Sequence, residues 1–520
     1  MEVDVPDTPS ELGFPQRAWR PYQRQTVQRI VSAEPRSVTV LCAPPGAGKS
    51  LIALGAARMY ARYQQYTTVL THQRTLQDQY LEYDIDPPVR SAKGRDNFPC
   101  ILPEEDEVSA ARAPCVVSHF VCHEAFSEVG RLPNCPHYRQ KALANASTIR
   151  VLNYPYYFLQ TKQGQFGTNL LVCDEGHHLG SAILQAETVR FTRDQRALLA
   201  GWKLSMPSAS DGTLLTDTPE VSDWTHAVAR QCYAMRGTKM ERAEREVVRA
   251  IESACGHLQL LCRINATAVH LGGDIVPVIP EELSTHVFST LRAPAKVVVM
   301  SASVYDAPYT AARLGLPADH AHFIDLPSAF PKTRRPIYVR PILRMNMEST
   351  KDAGALRKVV DELDTIAGRY VGRKGIIHCG SYQLGRDLFE RTRLRSRWIV
   401  AEARNNRLEE FVASEDGIYV SPSAYEGLDM YDDRCRFNII AKLSWPNRGD
   451  PVTALQLARI PGFNEHEAAS ALIQAVGRGV RHPDDWCHNF ILDATFWQLW
   501  ARTKDKLPRW FTESIVMPMK

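Results

Sequence analysis

The feature that most restricts this chain is a turn. The apolar run SVTVLC (37–42) leads into Ala43-Pro44-Pro45-Gly46-Ala47-Gly48-Lys49-Ser50, and the amphipathic stretch LIALGAARMYARY follows at once. A strand, a glycine-rich turn and a Lys-Ser pair opening a helix make a cradle for phosphate. Gly46 and Gly48 let backbone N–H groups approach a β-phosphate, and the helix N-terminus adds its partial positive charge. Lys49 can reach the β- and γ-phosphates, while the Ser50 hydroxyl can bind Mg2+. The turn predicts a parallel α/β sheet with a nucleotide at its carboxyl edge.

A second apolar run, Leu170-Leu171-Val172-Cys173, ends in Asp174-Glu175-Gly176-His177. A parallel strand there delivers two carboxylates to the edge where the phosphate loop opens. Asp174 would hold Mg2+, and Glu175 would orient or deprotonate an attacking water. His177 is placed to couple this site to a second domain.

The length of 520 residues suits roughly two to four domains. Lys and Arg number 62 against 58 Asp and Glu, a net charge of +4 that permits a polyanionic partner without requiring one. No apolar run reaches the roughly 18 residues of a membrane span. The start, MEVDVPDTPSELG, lacks the basic and apolar regions of a secretory signal, so a cytoplasmic location is expected. In that compartment the 12 cysteines are expected as metal ligands or small buried residues rather than disulfides.

Short β-rich runs alternate with helical stretches along the chain. Candidate strands are Ser37–Cys42, Thr67–Thr71, Ile149–Asn153, Leu170–Asp174 and Lys296–Met300. A second set is Lys374–Cys379, Trp398–Val400, Gly417–Ser421, Phe437–Leu443 and Asn489–Leu492. Two sets predict two α/β domains, divided near Leu326–Pro336 by Pro327, Pro331 and Pro336. The Cys-, Pro- and His-rich stretch from Ala92 and a mostly helical stretch from Val189 break the rhythm and read as insertions.

Further motifs agree with a known family. Asp174-Glu175-Gly176-His177 resembles the D-E-A-H box of superfamily 2 helicases, with Gly176 in place of Ala, and that superfamily also has Ala at the position of Ala43. Arg20-Pro21-Tyr22-Gln23 resembles the adenine-contacting element, and Thr71 to Gln79 (THQRTLQDQ) resembles motif Ia, which touches the nucleic-acid backbone. Ser301-Ala302-Ser303 looks like the S-A-T motif, and Glu426-Gly427-Leu428-Asp429 resembles motif V. Gln474 to Arg481 (QAVGRGVR) is similar to motif VI. Arg478 and Arg481 lie three apart, on one helix face, and their planar guanidinium groups suit a γ-phosphate across an interdomain cleft.

Within that superfamily the chain resembles the XPD/DinG group, through Lys93 to Cys100 (KGRDNFPC) and Cys135-Pro136-His137-Tyr138. The resemblance implies two RecA-like parallel-sheet domains. The expected layout is an N-terminal tail (1–14), first-domain pieces at 15–91, 144–188 and 281–326, and a Cys-rich insertion (92–143). A helical arch (189–280), a second domain (327–505) and a C-terminal tail (506–520) complete it. It implies ATP and Mg2+ as ligands, with Arg20, Gln23, Ala43 to Ser50 and Asp429 around the nucleotide. Lys49, Asp174, Glu175, Gln474, Arg478 and Arg481 are then the expected catalytic set.

Cys100, Cys115, Cys122 and Cys135 have spacings of 14, 6 and 12 residues. Four thiolates can hold a 4Fe-4S cluster or zinc, and spacing does not choose between them. His119, His123 and His137 keep a mixed zinc site open, as is a site with no metal. The resemblance favours the cluster. Backbone-gripping candidates for DNA are Thr71, Arg74 and Gln77, then Ser381 and Tyr382, and Ser421, Ser423 and Tyr425. Tyr154, Tyr156, Tyr157 and Trp445 read as base-stacking or packing residues, and the basic run Arg391–Arg397 as a DNA contact or a solvated helix face. The expected activity is a monomeric ATP-dependent helicase on single-stranded and forked DNA, with 5′-to-3′ movement implied by the resemblance. Rival readings are a translocase that separates no strands, an RNA-directed helicase, and a non-catalytic recruitment subunit with a relic nucleotide fold.

Overall fold

The computed structural model describes residues 4–101, 109–111, 113, 115, 134–162, 167–204, 214–215, 219–236, 238, 240–271, 273–283, 296–315, 319, 321–422, 430, 432–482 and 484–518. Cys122, His119, His123, Ser423, Tyr425, Glu426 and Asp429 lie outside the described residues.

In chain order the strands begin with β1 (Ser37–Cys42), β2 (Thr67–Thr71), β3 (Arg90–Ser91), β4 (Ile149–Asn153) and β5 (Leu170–Asp174). Then come the short β6 (Val189–Arg190), β7 (Leu214–Leu215), β8 (Ala268–Leu271) and β9 (Asp274–Pro277), followed by β10 (Lys296–Ser301) and β11 (Ala321–Asp325). The second half holds β12 (Ile337–Leu343), β13 (Gly375–His378), β14 (Trp398–Val400), β15 (Ile418–Ser421), β16 (Phe437–Ile440), β17 (His488–Asp493) and β18 (Ile515–Val516).

The strands form two seven-stranded parallel sheets, ordered β11-β1-β10-β5-β2-β4-β3 and β14-β15-β13-β16-β17-β12-β18. Helices cover both faces, so the central strands are apolar throughout rather than alternating. Side chains still alternate between layers. Val297 and Val299 of β10 join one apolar layer, while Val298 and Met300 join the other. This is the parallel α/β sheet that the phosphate turn predicts, doubled as the two strand sets predict, and it matches the two RecA-like domains that the resemblance implies. Among the described residues no helix is long and apolar enough to cross a membrane.

The stretch expected to be mostly helical is mixed. Helices Pro219–Met235 and Arg242–Arg263 bury Val228, Ile251 and Cys255 against the first sheet's layer. A small antiparallel sheet, β6-β9-β8-β7, accompanies them. Its central hairpin turns at Gly273, whose φ of +99° suits glycine.

The described residues of both expected tails pack against the sheets. Val5, Leu12 and Phe14 are buried with Leu41 and Ile52 of the first sheet's core. Trp510 and Phe511 are buried with Ile337 and Ile491, and β18 adds an edge strand beside β12. The basic run is not a solvated helix face. Its helix, Tyr382–Phe389, stops short of it, and Arg395–Arg397 is a single 3-10 turn. Arg397 donates to the carbonyls of Ala367, Tyr370, Arg373 and Asp416 and pairs with the Asp416 carboxylate at 3.0 Å. It rivets loop to helix end.

Candidate active site

The phosphate turn leaves β1 at the sheet's carboxyl edge, and Gly46 and Gly48 both adopt φ +75°. Neither position admits a side chain. A Cβ at Gly46 would sit 2.2 Å from the Phe330 ring, and one at Gly48 would sit 2.3 Å from Gln23 Nε2. Helix Lys49–Ala61 starts directly after Gly48. The Arg20 guanidinium donates to the Gly46 carbonyl at 2.6 Å. Gln23 donates from Nε2 to the Ala47 carbonyl at 2.9 Å, and its Oε1 accepts from the Arg20 N–H at 2.9 Å. Gln23 is 1% exposed, so in this structure its amide braces the loop from beneath.

Strand register brings the acids to the same place. Cys42 lies opposite Ser301, and Met300 lies opposite Asp174. The loop, the acid pair and the Ser301 turn therefore leave three adjacent strands at one level. Asp174 is buried, and its carboxylate accepts from the Tyr80 hydroxyl at 2.8 Å and the Glu175 N–H at 2.9 Å. Glu175 takes a left-handed φ of +50°, with its carboxylate 3.8 Å from Lys49 Nζ. Gly176 has no room for the alanine of the D-E-A-H form. A Cβ there would lie 2.4 Å from Val299 Cγ1.

Burial and the neighbouring Glu175 charge push the Asp174 carboxyl up to about 6, against the pull of Lys49. Burial also opposes charge on Glu175, but Lys49, His177 and Arg478 outweigh it and bring that carboxyl down to about 2. The environment thus separates the two acids. Asp174 is a buried carboxylate that a cation would stabilise, and Glu175 is a firmly ionised acceptor suited to orienting water.

The two sheets meet across a cleft of about 1110 Å³. His177 Nδ1 hydrogen-bonds with the Ser301 hydroxyl at 2.8 Å and lies 3.4 Å from Glu175. From the other side, Gln474 Nε2 donates to Ser303 at 2.9 Å and Ser301 at 3.4 Å. A Cβ at Gly477 would come within 2.9 Å of Pro45, and the Arg481 carbonyl lies 3.1 Å from a Cβ built at Gly46. Arg478 and Arg481 line the same cleft as Lys49 and Glu175. The Gln474–Arg481 segment therefore faces the phosphate loop.

Some partners carried no readable signal in the sequence. Tyr80 sits 94 residues before Asp174, and only the pairing of β2 with β5 brings its helix over that acid. Asp485 is 1% exposed, accepts from the Arg481 N–H at 3.1 Å and pairs with Arg436 at 2.7 Å. It fixes the backbone that carries the arginine.

The expected nucleic-acid residues divide. Thr71 and Gln77 are fully buried, Thr71 donating to the Gln73 carbonyl, and neither offers its side chain to a strand. Ser421 is also buried. Their strands and helix pack these positions inward. Arg74 is exposed, and Ser381 and Tyr382 are half-buried, Ser381 capping helix Tyr382–Phe389 by accepting from the Leu384 N–H. Tyr154, Tyr156 and Tyr157 are core residues, and Trp445 lines the cleft.

Of the four cysteines, Cys100 and Cys135 are buried, and Cys115 packs beside Cys135 with Ile101 and Tyr138. The Arg95 guanidinium donates to Cys115 Sγ at 3.2 Å and to the Tyr138 hydroxyl at 2.9 Å. Burial, then Arg95 and Lys141, lower the nearby His137 to about 4, which keeps its imidazole neutral.

Two family models match. The type III restriction enzyme res-subunit model covers residues 16–198, and the helicase C-terminal domain model covers 371–514. No curated protein matches in sequence. Among solved structures, one described as an XPD helicase aligns with TM-score 0.63 at 14% identity, over 96% of this chain and 99% of that one. Xpd4 of S. tokodaii aligns with TM-score 0.57 at 14% identity, over 96% and 100%. An apo XPD gives TM-score 0.57 at 13% identity, over 96% and 100%. A res-subunit model over the first sheet and a helicase C-terminal domain model over the second, on a fold shared with XPD helicase structures, mark this chain as an ATP-hydrolysing enzyme of the helicase kind.

Proposed function

We propose that the chain translocates on single-stranded DNA in the 5′-to-3′ sense and separates duplex strands, driven by ATP held between the two sheets. The observation that carries the ATP-driven part of this reading is the bridge across the cleft, while the DNA and the polarity rest on the resemblance to the XPD/DinG group. Glu175 and His177 connect through Ser301 and Ser303 to Gln474 near the end of helix Phe463–Val476, so the water-orienting acid is joined by hydrogen bonds to the helix whose C-terminal turn, and not a helix face as expected, carries Arg478 and Arg481. Opening the cleft breaks that chain and withdraws Arg478 and Arg481, which ties hydrolysis to motion of one sheet against the other.

In this reading Lys49 and the loop N–H groups bind the β- and γ-phosphates. Arg20 and Gln23 hold the loop in its left-handed turns, and Asp429 would contact the nucleotide, as the motif V resemblance implies. Glu175 orients the water, while Arg478 and Arg481 stabilise charge on the transferring phosphoryl group. Ser50 and Asp174 would hold Mg2+, which neutralises phosphate charge when bound. Arg74, Ser381 and Tyr382 are the contacts offered to the DNA backbone. Cys100, Cys115, Cys122 and Cys135 would hold a 4Fe-4S cluster, which would give the 92–143 insertion a rigid centre.

Strand displacement on duplexes carrying either a 5′ or a 3′ single-stranded tail tests the proposal. Release of the 5′-tailed duplex with ATP, and none by Lys49→Ala, is expected. ATPase stimulation by single strands without displacement of either substrate would replace unwinding by translocation alone. Stimulation by RNA and not DNA would change the substrate.

A further inference from the structure

The water-orienting acid is connected to the cleft rim by a column of three imidazoles. His72 follows the last residue of β2 and is exposed at the cleft mouth. Its ring stacks on His178, with centroids 3.9 Å apart and planes 17° apart. The His178 ring in turn lies 4.0 Å from His177, tilted by 41°. His177 closes the column on Ser301 at 2.8 Å and stands 3.4 Å from Glu175. Three rings therefore run in contact from exposed surface to the acid, joining the end of β2 to the turn after β5.

Plain packing explains the inner two rings, which are half-buried. It explains His72 poorly, because an exposed ring contributes little burial. Its position says more. Arg74, the exposed cation nearest in sequence, opens the helix Arg74–Leu81 two residues on, which puts a backbone-gripping candidate beside the ring that caps the column. The rings are in van der Waals contact along the column, one pair stacked and one tilted, so a displaced outer ring changes the contacts of the next.

We infer that His72 is a positioning residue through which a strand gripped at the end of β2 acts, by way of the His72–His178–His177 column, on Glu175. The inference rests on the proposal that nucleic acid is gripped beside Arg74.

The experiment uses the full chain and a single-stranded oligonucleotide. Two quantities are read: the ratio of ATP turnover with and without the strand, and the strand's Kd by fluorescence anisotropy. His72→Ala should lower the stimulation ratio by about fivefold or more while the strand's Kd stays within about twofold. His72→Phe, which keeps a stackable ring, should restore the ratio. Wild-type stimulation in His72→Ala with the strand bound would overturn the inference and leave the proposed function standing. So would a lost ratio explained wholly by a weakened Kd. A wild-type chain that neither binds the strand nor responds to it would overturn the proposed function, and this inference with it.

Discussion

Single residues carry the chemistry, and their environments set testable expectations. Lys49 stands 3.8 Å from Glu175 and is largely shielded from solvent, so the loop's cation already faces the acid it must share a substrate with. Lys49→Ala should reduce ATP turnover by about a thousandfold, with the far-ultraviolet circular dichroism unchanged. His378, at the end of β13, gives a pH prediction. Burial, reinforced by Arg478, lowers it from 6.5 to about 4 despite its hydrogen bond with Asn438. The unfolded chain therefore binds this proton more tightly than the folded one. The stability this group contributes is full above pH 6.5 and is lost as pH falls toward 4. Between pH 7.5 and 5 the loss amounts to about 2 kcal/mol. Denaturant melts at both pH values should show that difference shrinking in His378→Asn.

At the scale of elements, strong local pattern made much of the fold legible. Five strands of the first sheet and five of the second were foreseen to within about three residues, because they are continuous apolar runs followed by turn signals. The missed strands have physical reasons. In β11 the sequence AHFID is polar and mostly exposed at a sheet edge, β12 contains Pro341, and β3 and β18 are two residues long. The run Arg391–Arg397 misled because charge density says nothing about where a guanidinium points. Arg397 is a structural rivet, and Arg397→Ala should cost about 1–2 kcal/mol by leaving part-buried carbonyls without their donor. Calorimetry on the second sheet's transition measures it. The Cys-rich element makes its own prediction. Cys135→Ser should abolish the brown absorbance of protein purified without oxygen, with iron and sulfide falling together. Colourless wild-type protein would remove the cluster from the account.

The whole molecule was legible as two sheets and an ordered set of motifs, since the phosphate turn and the acid pair each dictate a strand end. Its closure was not. Only tertiary pairing places Tyr80 over Asp174, Gln23 beneath the loop, Phe330 against Gly46 and Asp485 behind Arg481. The inward turn of Thr71 and Gln77 likewise follows from packing that residue type does not reveal. Those long-range contacts turn two half-sites into one cleft, with the acid pair on one wall and the arginines on the other. The direct test is ATP turnover and nucleotide binding by Arg478→Ala and Arg481→Ala. A composite site predicts turnover lowered by about a thousandfold in at least one variant while nucleotide still binds. Wild-type turnover in both would contradict it.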